Sequence, residues 1–263
     1  MGNRPISSGR YSTAQPDTKR FHLHTHGDYE IFLFISGKAK YYIEGTVYHL
    51  KPYDMLIIKK AEAHTLLLLK NVEYERVVIN FKESALMGDS HKIIEFLDSK
   101  PLGLNNKYPA SVLKDNDWMK YIDIICKDED METKRLYLTV LLNEMYKKRS
   151  FTQNGDETKE TVAKIVEYIN NNLRERLSLD DICNRFYISK THINYKFKKV
   201  IGTTVYAYIK QKRVLLAKSL LASGEKPSAV CEKCGFLDYN SFYKAYVSYF
   251  GRSPNRDYEN LKD

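Results

Sequence analysis

No apolar run in this chain approaches the roughly 18–20 residues that a membrane-spanning helix needs, so a helical span is not expected. Residues 1–20 are polar and lack the apolar centre of a secretory signal. Cysteine is scarce. Cys126, Cys183, Cys231 and Cys234 are too few and too unevenly placed for a disulfide framework, and a reducing cytoplasm is the expected setting. Acidic residues are missing altogether from residues 182–224, a stretch of 43 residues that carries nine basic ones. A soluble helix face mixes its charges, so a one-signed run of this length points to a polyanionic partner.

The excess charge is concentrated at one end. Residues 158–263 hold 19 Lys and Arg against 11 Asp and Glu, a net of +8, whereas residues 1–157 are nearly neutral at +1. That asymmetry predicts a nucleic-acid module attached to a domain of different purpose, within the one to two domains that 263 residues allow. The polar stretch 149–157 holds Gly155, the only glycine between Gly103 and Gly202, and reads as a linker. The boundaries expected are therefore 1–148 for the nearly neutral domain, 149–157 for the linker and 158–263 for the nucleic-acid module.

The first domain reads as short strands with turns (a barrel over about 20–82), followed by helices over about 90–148. Ile31-Phe32-Leu33-Phe34-Ile35 is a strongly apolar strand ended by Ser36-Gly37, with Lys40-Tyr41-Tyr42-Ile43 expected to pair back on it and Glu44-Gly45 to form a hairpin turn. About seven strands of this length favour a small barrel or sandwich. Within them His24 and His26 stand two apart, on one face of an extended segment; Glu30, Gly37 and the distant His64 follow. His22 shares that face and reads as surface or rim. The helix over 132–148 carries two apolar stripes, one through Leu136, Val140 and Asn143, the other through Leu138, Leu141, Leu142 and Met145. The helix over 117–127 or a partner subunit is expected to cover the second side.

The spacing His-x-His-x3-Glu-x6-Gly with a later His resembles the metal-binding motif of the cupin family. The second cupin motif departs from the pattern: Tyr53 replaces the usual glycine, and Glu62-Ala63 stands where Pro-x-Gly is expected. Three readings stay open for His24, His26, Glu30 and His64: a divalent metal site, a polar lining for a small-molecule pocket, or hydrogen bonding within the barrel.

In the second domain Thr158 is placed to cap a helix over 162–173. Leu179-Asp180-Asp181-Ile182-Cys183 then reads as a short helix and Tyr187-Ile188-Ser189 as a turn, with Ser189 capping a second helix over 190–199. Two short helices joined by such a turn form a helix-turn-helix. After Gly202-Thr203-Thr204, a long helix over 205–222 carries Val205, Tyr208, Ile209, Leu215, Leu216, Leu220 and Leu221 as an apolar stripe. The pattern recurs: a short helix over 228–233, a turn over 234–238 and a helix over 239–250. Cys231 and Cys234 form a Cys-x-x-Cys without a second ligand pair, which reads as packing inside this unit.

These residues together resemble the DNA-binding domain of the AraC/XylS family of bacterial transcription regulators. The resemblance runs from Leu179 through Phe197-Lys198-Lys199, Arg213, Gly235-Phe236 and Phe250-Gly251 to Ser253-Pro254. It departs at Tyr246, where the family usually has Phe, at Cys231, usually Ala, and at the closing Asp257-Tyr258, which is displaced by one place. The fold implied is a two-domain α+β chain, with a cupin-like β-barrel and helical appendage before an all-α tandem helix-turn-helix. The function implied is an effector-responsive, sequence-specific DNA-binding regulator, more an activator than a repressor and not an enzyme. Its partners would be promoter DNA, a small-molecule effector in the barrel, a second copy in a homodimer and RNA polymerase. The alternative is a metal-binding cupin sensor or cupin enzyme fused to a DNA-binding module. The resemblance places Thr191, His192, Asn194 and Tyr195, then Tyr239, Asn240, Ser241, Tyr243 and Lys244, against the bases. Lys190, Lys196, Lys198, Lys199 and Lys210 would neutralise phosphates. Arg213 is expected to pack or pair within the domain.

Overall fold

The computed structural model describes residues 4–14, 23–24, 26–60, 62–68, 72–157 and 161–259. His22 and Thr158 lie outside the described residues. The chain divides into two compact units, Met1–Glu157 and Thr158–Asp263.

The first unit stacks two sheets. One has the order β1 (Ile6–Thr13), β7 (Tyr74–Phe81), β2 (Tyr29–Ser36), β5 (Met55–Ile58), β8 (Lys107–Tyr108); the other runs β6 (His64–Leu68), β3 (Ala39–Ile43), β4 (Thr46–His49), β9 (Asp156–Glu157). Strand β2 is buried on both faces because it lies at the centre. Ile31, Leu33 and Ile35 pack outward against α1 (His91–Ser99), α3 (Trp118–Lys127) and α4 (Met131–Lys147), while Phe32 and Phe34 point inward among Tyr41, Ile43 and Leu66. The period of two puts Glu30 on the inward face as well.

Several expectations are corrected here. The sheet begins at Ile6 rather than near residue 20: β1 pairs with β7 along its whole length, from Ile6 opposite Phe81 to Thr13 opposite Tyr74. Its Ser, Gly and Thr content hid an edge strand with only Ile6 fully buried. Strand β3 pairs with β4 and β6, not with β2. Gly37, at φ +115°, turns the chain from one sheet to the other at a point where a Cβ would meet the Glu73 carbonyl at 3.1 Å. The Glu44-Gly45 hairpin is as expected, both residues taking positive φ, as a two-residue β3–β4 turn requires. Tyr53, standing where the cupin pattern has glycine, holds φ +70°, in the left-handed region that favours glycine.

The stretch 149–157 is bound to the barrel rather than free. Gln153 N–H donates to the Lys107 carbonyl at 2.7 Å, Asn105 N–H donates to the Asn154 side chain at 2.8 Å, and β9 pairs with β4. Gly155 reflects close approach: a Cβ there would stand 2.5 Å from the Val47 carbonyl. Polarity in this segment supplies main-chain partners to the barrel edge, and the division between units falls after Glu157.

Buried Glu62 fastens the turn before β6 to the connector after α1. Its carboxylate accepts from Lys59 N–H (3.0 Å), Gly103 N–H (2.9 Å) and Asn106 Nδ2 (2.9 Å). On α4, Leu138, Leu141, Leu142 and Met145 are buried, and the other stripe stays open, with Leu136 half exposed.

The second unit is helical: α5 (Thr161–Asn171), α6 (Leu179–Phe186), α7 (Lys190–Ile201), α8 (Val205–Ala222), α9 (Pro227–Lys233), α10 (Tyr239–Phe250) and α11 (Pro254–Glu259). Helix α8 does not carry the single stripe expected. Val205, Tyr208, Ile209 and Lys212 are buried in its first part and Val214, Ala217 and Leu221 in its second, while Leu215, Leu216 and Leu220 are only half-buried. At 3.6 residues per turn these two sets lie on nearly opposite faces.

Removing the Glu62 carboxylate leaves three donors without their partner. Glu62→Ala should lower stability by about 3 kcal/mol, since each buried polar group left unsatisfied costs on the order of 1–3 kcal/mol. Trp118, the only tryptophan and fully buried, reports on this unit. Urea unfolding followed by its fluorescence should show the midpoint fall, and an unchanged midpoint would contradict the assignment.

Candidate functional site

Both helix-turn-helix units are fixed by local chemistry. Ser178 Oγ accepts from Asp181 N–H at 3.0 Å to start α6, and Ser189 Oγ accepts from His192 N–H at 3.3 Å to start α7. In the second unit Asp238 accepts from Ser241 N–H at 2.7 Å to start α10. The turns repeat: Ile188 N–H reaches the Cys183 carbonyl at 3.0 Å, as Phe236 N–H reaches that of Cys231 at 3.2 Å. Gly235 takes the left-handed residue of the second turn (φ +75°), and Tyr187 takes it in the first (φ +51°).

Helix α7 buries Ile193, Phe197 and Ile201, which turns Thr191, His192, Tyr195 and Lys199 outward. Lys199 Nζ stands 6.0 Å over the Tyr195 ring. Asn194 is placed differently from the other positions expected to face bases. Its Oδ1 accepts from Val205 N–H at 3.2 Å and its Nδ2 donates to the Lys190 carbonyl at 3.1 Å, so the amide ties the start of α8 to α7. Lys190 pairs with Asp180 at 2.6 Å; Lys196 and Lys210 are half-buried, and Lys198 is exposed.

Helix α10 buries Phe242, Ala245 and Tyr246 and exposes Asn240, Tyr243 and Lys244. Ser241 also donates its hydroxyl to Asp238 at 2.7 Å, and the Tyr239 hydroxyl reaches Asn255 at 3.5 Å. The hydroxyl of Tyr246 explains its departure from phenylalanine, for it donates to Asp257 at 2.6 Å, which also pairs with Arg252 at 2.6 Å. The sequence reading missed a groove of about 330 Å³ within the second domain, between its two helix-turn-helix motifs, where exposed Tyr206 and Leu237 flank Lys210 and Lys244. Large apolar side chains at a helix start and in a turn are its only trace in sequence.

Arg213 is structural. Its Nε donates to the Leu173 carbonyl at 3.0 Å and an Nη to that of Glu175 at 2.7 Å, holding the chain beyond α5 against α8. Cys231 and Cys234 are buried with Val230, Phe242 and Tyr246, and burial pushes the Cys234 thiol up to about 12. These cysteines pack.

In the first unit the structure brings His24, His26, Glu30 and His64 together. His24 and His64 exchange both main-chain hydrogen bonds, at 3.0 and 2.9 Å, which sets their rings side by side with centroids 4.3 Å apart. Glu30 Oε2 lies 3.1 Å from His26 Nε2 and 3.9 Å from His64 Nε2, while Oε1 accepts from the Tyr41 hydroxyl at 3.0 Å. Burial alone would raise the Glu30 carboxyl, but the hydrogen bond from His26 and the neighbouring histidines bring it down to about 2. Burial holds His64 down at about 3 and hence neutral. Burial also acts to lower His26, yet Glu30 outweighs it and raises that ring.

Beside the cluster is a cavity of about 210 Å³ lined by His24, Glu30, Phe32, Tyr41, Tyr74 and Arg76, with Tyr11 at its edge. Arg76 and Tyr74 were not singled out in the sequence. Their signal is the period of two along β7, which puts Tyr74, Arg76 and Val78 on one face, with Val78 opposite Phe32 of β2.

Two families match. The one described as the AraC-like ligand binding domain covers residues 8–120, and the one described as a helix-turn-helix domain covers residues 182–259. The chain is 33% identical over 95 residues to the transcriptional activator AarP of Providencia stuartii, covering 36% of this chain and 70% of AarP. It is 21% identical over 245 residues to the transcriptional activator RhaS of Escherichia fergusonii, covering 89% and 86%. A match to the probable transcriptional regulator LumQ of Photobacterium leiognathi, 33% identical over 93 residues, takes in 35% of this chain and 38% of LumQ.

Arg213→Ala and Gly235→Ala should each destabilise the second unit. The first removes two charge-assisted bonds, worth about 1.5–3 kcal/mol each at most; the second drives a Cβ to 2.7 Å from the Leu173 carbonyl. Urea denaturation followed by helical circular dichroism checks both, and wild-type midpoints would refute the role given to this corner.

Proposed function

Because the chain belongs to the AraC/XylS family of transcription regulators, we propose that residues 158–263 engage promoter DNA through α7 and α10 and that the barrel holds an effector governing this engagement. The observation that carries the reading is the pair of capped helices on α8, each exposing neutral polar side chains beside lysines. Thr191, His192 and Tyr195 on α7 read bases, as do Asn240, Tyr243 and Lys244 on α10, with Tyr239 and Ser241 at its start. Asn194 serves instead to hold the corner between α7 and α8. Lys196, Lys198, Lys199 and Lys210 grip phosphate, with Lys190 contributing once it leaves Asp180.

Relatives bearing the name of activator favour activation, and contact with RNA polymerase in the cytoplasm belongs to the same reading. A homodimer closing over the open stripe of Leu136 and Val140 completes the arrangement. Among the described residues no helix is long and apolar enough to cross a membrane. Membership in a family of regulators displaces the cupin-enzyme alternative. The cavity beside His24 and Glu30 is below the roughly 300–1,000 Å³ of common ligand pockets, which favours a small effector.

Neither recognition helix carries arginine, the usual reader of guanine, so half-sites rich in A·T and about one helical turn apart are expected. Sites selected from random DNA should show this bias, and undiminished binding after G·C substitution would sink it. On a selected site Lys199→Ala should reduce the salt dependence of log K by about 0.9, the loss of one phosphate contact. Tyr195→Ala should instead weaken the selected site more than random DNA. Anisotropy titrations across salt concentrations separate the two effects.

A further inference from the structure

The four side chains that meet in the barrel present electron pairs to one another. His26 Nδ1 lies 2.7 Å from the Asp28 carbonyl and His64 Nδ1 lies 2.7 Å from the Glu62 carbonyl. A carbonyl can only accept, so Nδ1 carries the proton in both rings. In a neutral imidazole that leaves Nε2 as a bare lone pair, and both Nε2 atoms face Glu30 Oε2. His64 is fully buried, and its Nε2 has no hydrogen-bond partner among the described residues. A buried polar atom without a partner is rare and calls for an explanation. A proton on His26 would satisfy the 3.1 Å contact to Glu30, but it would leave His64 Nε2 facing a carboxylate at 3.9 Å. One cation among them would satisfy every group together.

We propose that His24, His26 and His64, with Glu30, bind one divalent first-row transition-metal ion. A ligand nitrogen from each histidine lies within 4.8 Å of the others. Zinc-type bonds of about 2.0–2.1 Å set neighbouring ligands about 3.4 Å apart in a tetrahedral site, so small side-chain shifts close the shell. The Nδ1–carbonyl bonds of His26 and His64 form the outer shell typical of metal-bound histidine, fixing the tautomer and aiming Nε2 inward. Three imidazoles and one carboxylate suit Zn, Co, Ni, Fe or Mn and not the oxygen-seeking Ca and Mg. His24 and Glu30 also line the adjoining cavity, so a coordination position left open there faces the space assigned to the effector. This deepens the regulator reading and rests on it only for the meaning of the metal, not for its binding.

The test uses the full chain, stripped with a chelator and titrated with Co²⁺ alone. Visible d–d absorption should saturate at about one equivalent and disappear as Zn²⁺ is added. His24→Ala, at an exposed position, should keep the Trp118 emission of the wild type and weaken Co²⁺ binding by about a hundredfold or more. That exceeds the 10–100-fold range of an outer-shell change. His64→Gln should do the same; if it fails to fold, His24→Ala decides. Less than about a tenth of an equivalent bound by the wild type, or wild-type affinity in His24→Ala, would overturn the site. DNA binding is measured on the same samples. A wild type that binds DNA but takes up no metal overturns this inference alone, whereas metal binding without DNA binding upholds it and overturns the regulator reading.

Discussion

Helix α8 has to serve two cores at once, and the arrangement of the two helix-turn-helix motifs depends on how it does so. Its first half lays Val205, Tyr208 and Ile209 against the first helix-turn-helix, with the Phe197 and Tyr208 rings 5.9 Å apart. Its second half turns Val214, Ala217 and Leu221 to the second. Since the faces are nearly opposite, neither unit can shift along α8 without uncovering apolar surface, at roughly 25 cal/mol per Å². Eighteen helical residues span about 27 Å, the same order as the roughly 34 Å of one DNA turn. The placement of α7 and α10 on α8 is thus fixed by packing inside the protein.

The barrel is governed by a comparable constraint on β2. A strand covered on both sides has no solvent face on which to put a charge, so Glu30 is held inside, among Phe32, Tyr41 and the histidines. Its ionisation is sustained by partners rather than by water. That separates this carboxylate from Glu62, whose partners are mostly main-chain N–H groups and whose work is to hold a connector in place.

The legible parts of the fold were those set by neighbours in sequence. Ser189 as a cap and Glu44-Gly45 as a turn follow from rules that act over a few residues. What depended on distant partners was harder to read. Strand β1 is a strand because β7 is there, and nothing in Ser7-Ser8-Gly9-Arg10 announces it. Strand β3 leaves β2 because a glycine turns the chain, a choice that hairpin proximity did not suggest. Asn194 has suitable chemistry for adenine, yet the α8 main chain competes for the same amide. The histidine cluster was visible as a spacing; only the bridge between His24 and His64 and the two Nδ1–carbonyl bonds show which way the rings face.

The left-handed tyrosines carry a lesson about motif glycines. Tyr53 and Tyr187 each hold a backbone conformation that glycine adopts freely, at a cost on the order of 1–2 kcal/mol. Glycine would relieve that strain but give the unfolded chain more freedom to lose, a penalty of about 0.4–1 kcal/mol. The second offsets about half of the first. A turn with room for a Cβ, unlike the one at Gly235, can therefore exchange glycine for a large side chain at a net cost of about 1 kcal/mol. A sequence pattern that insists on glycine at such a point tests habit more than necessity.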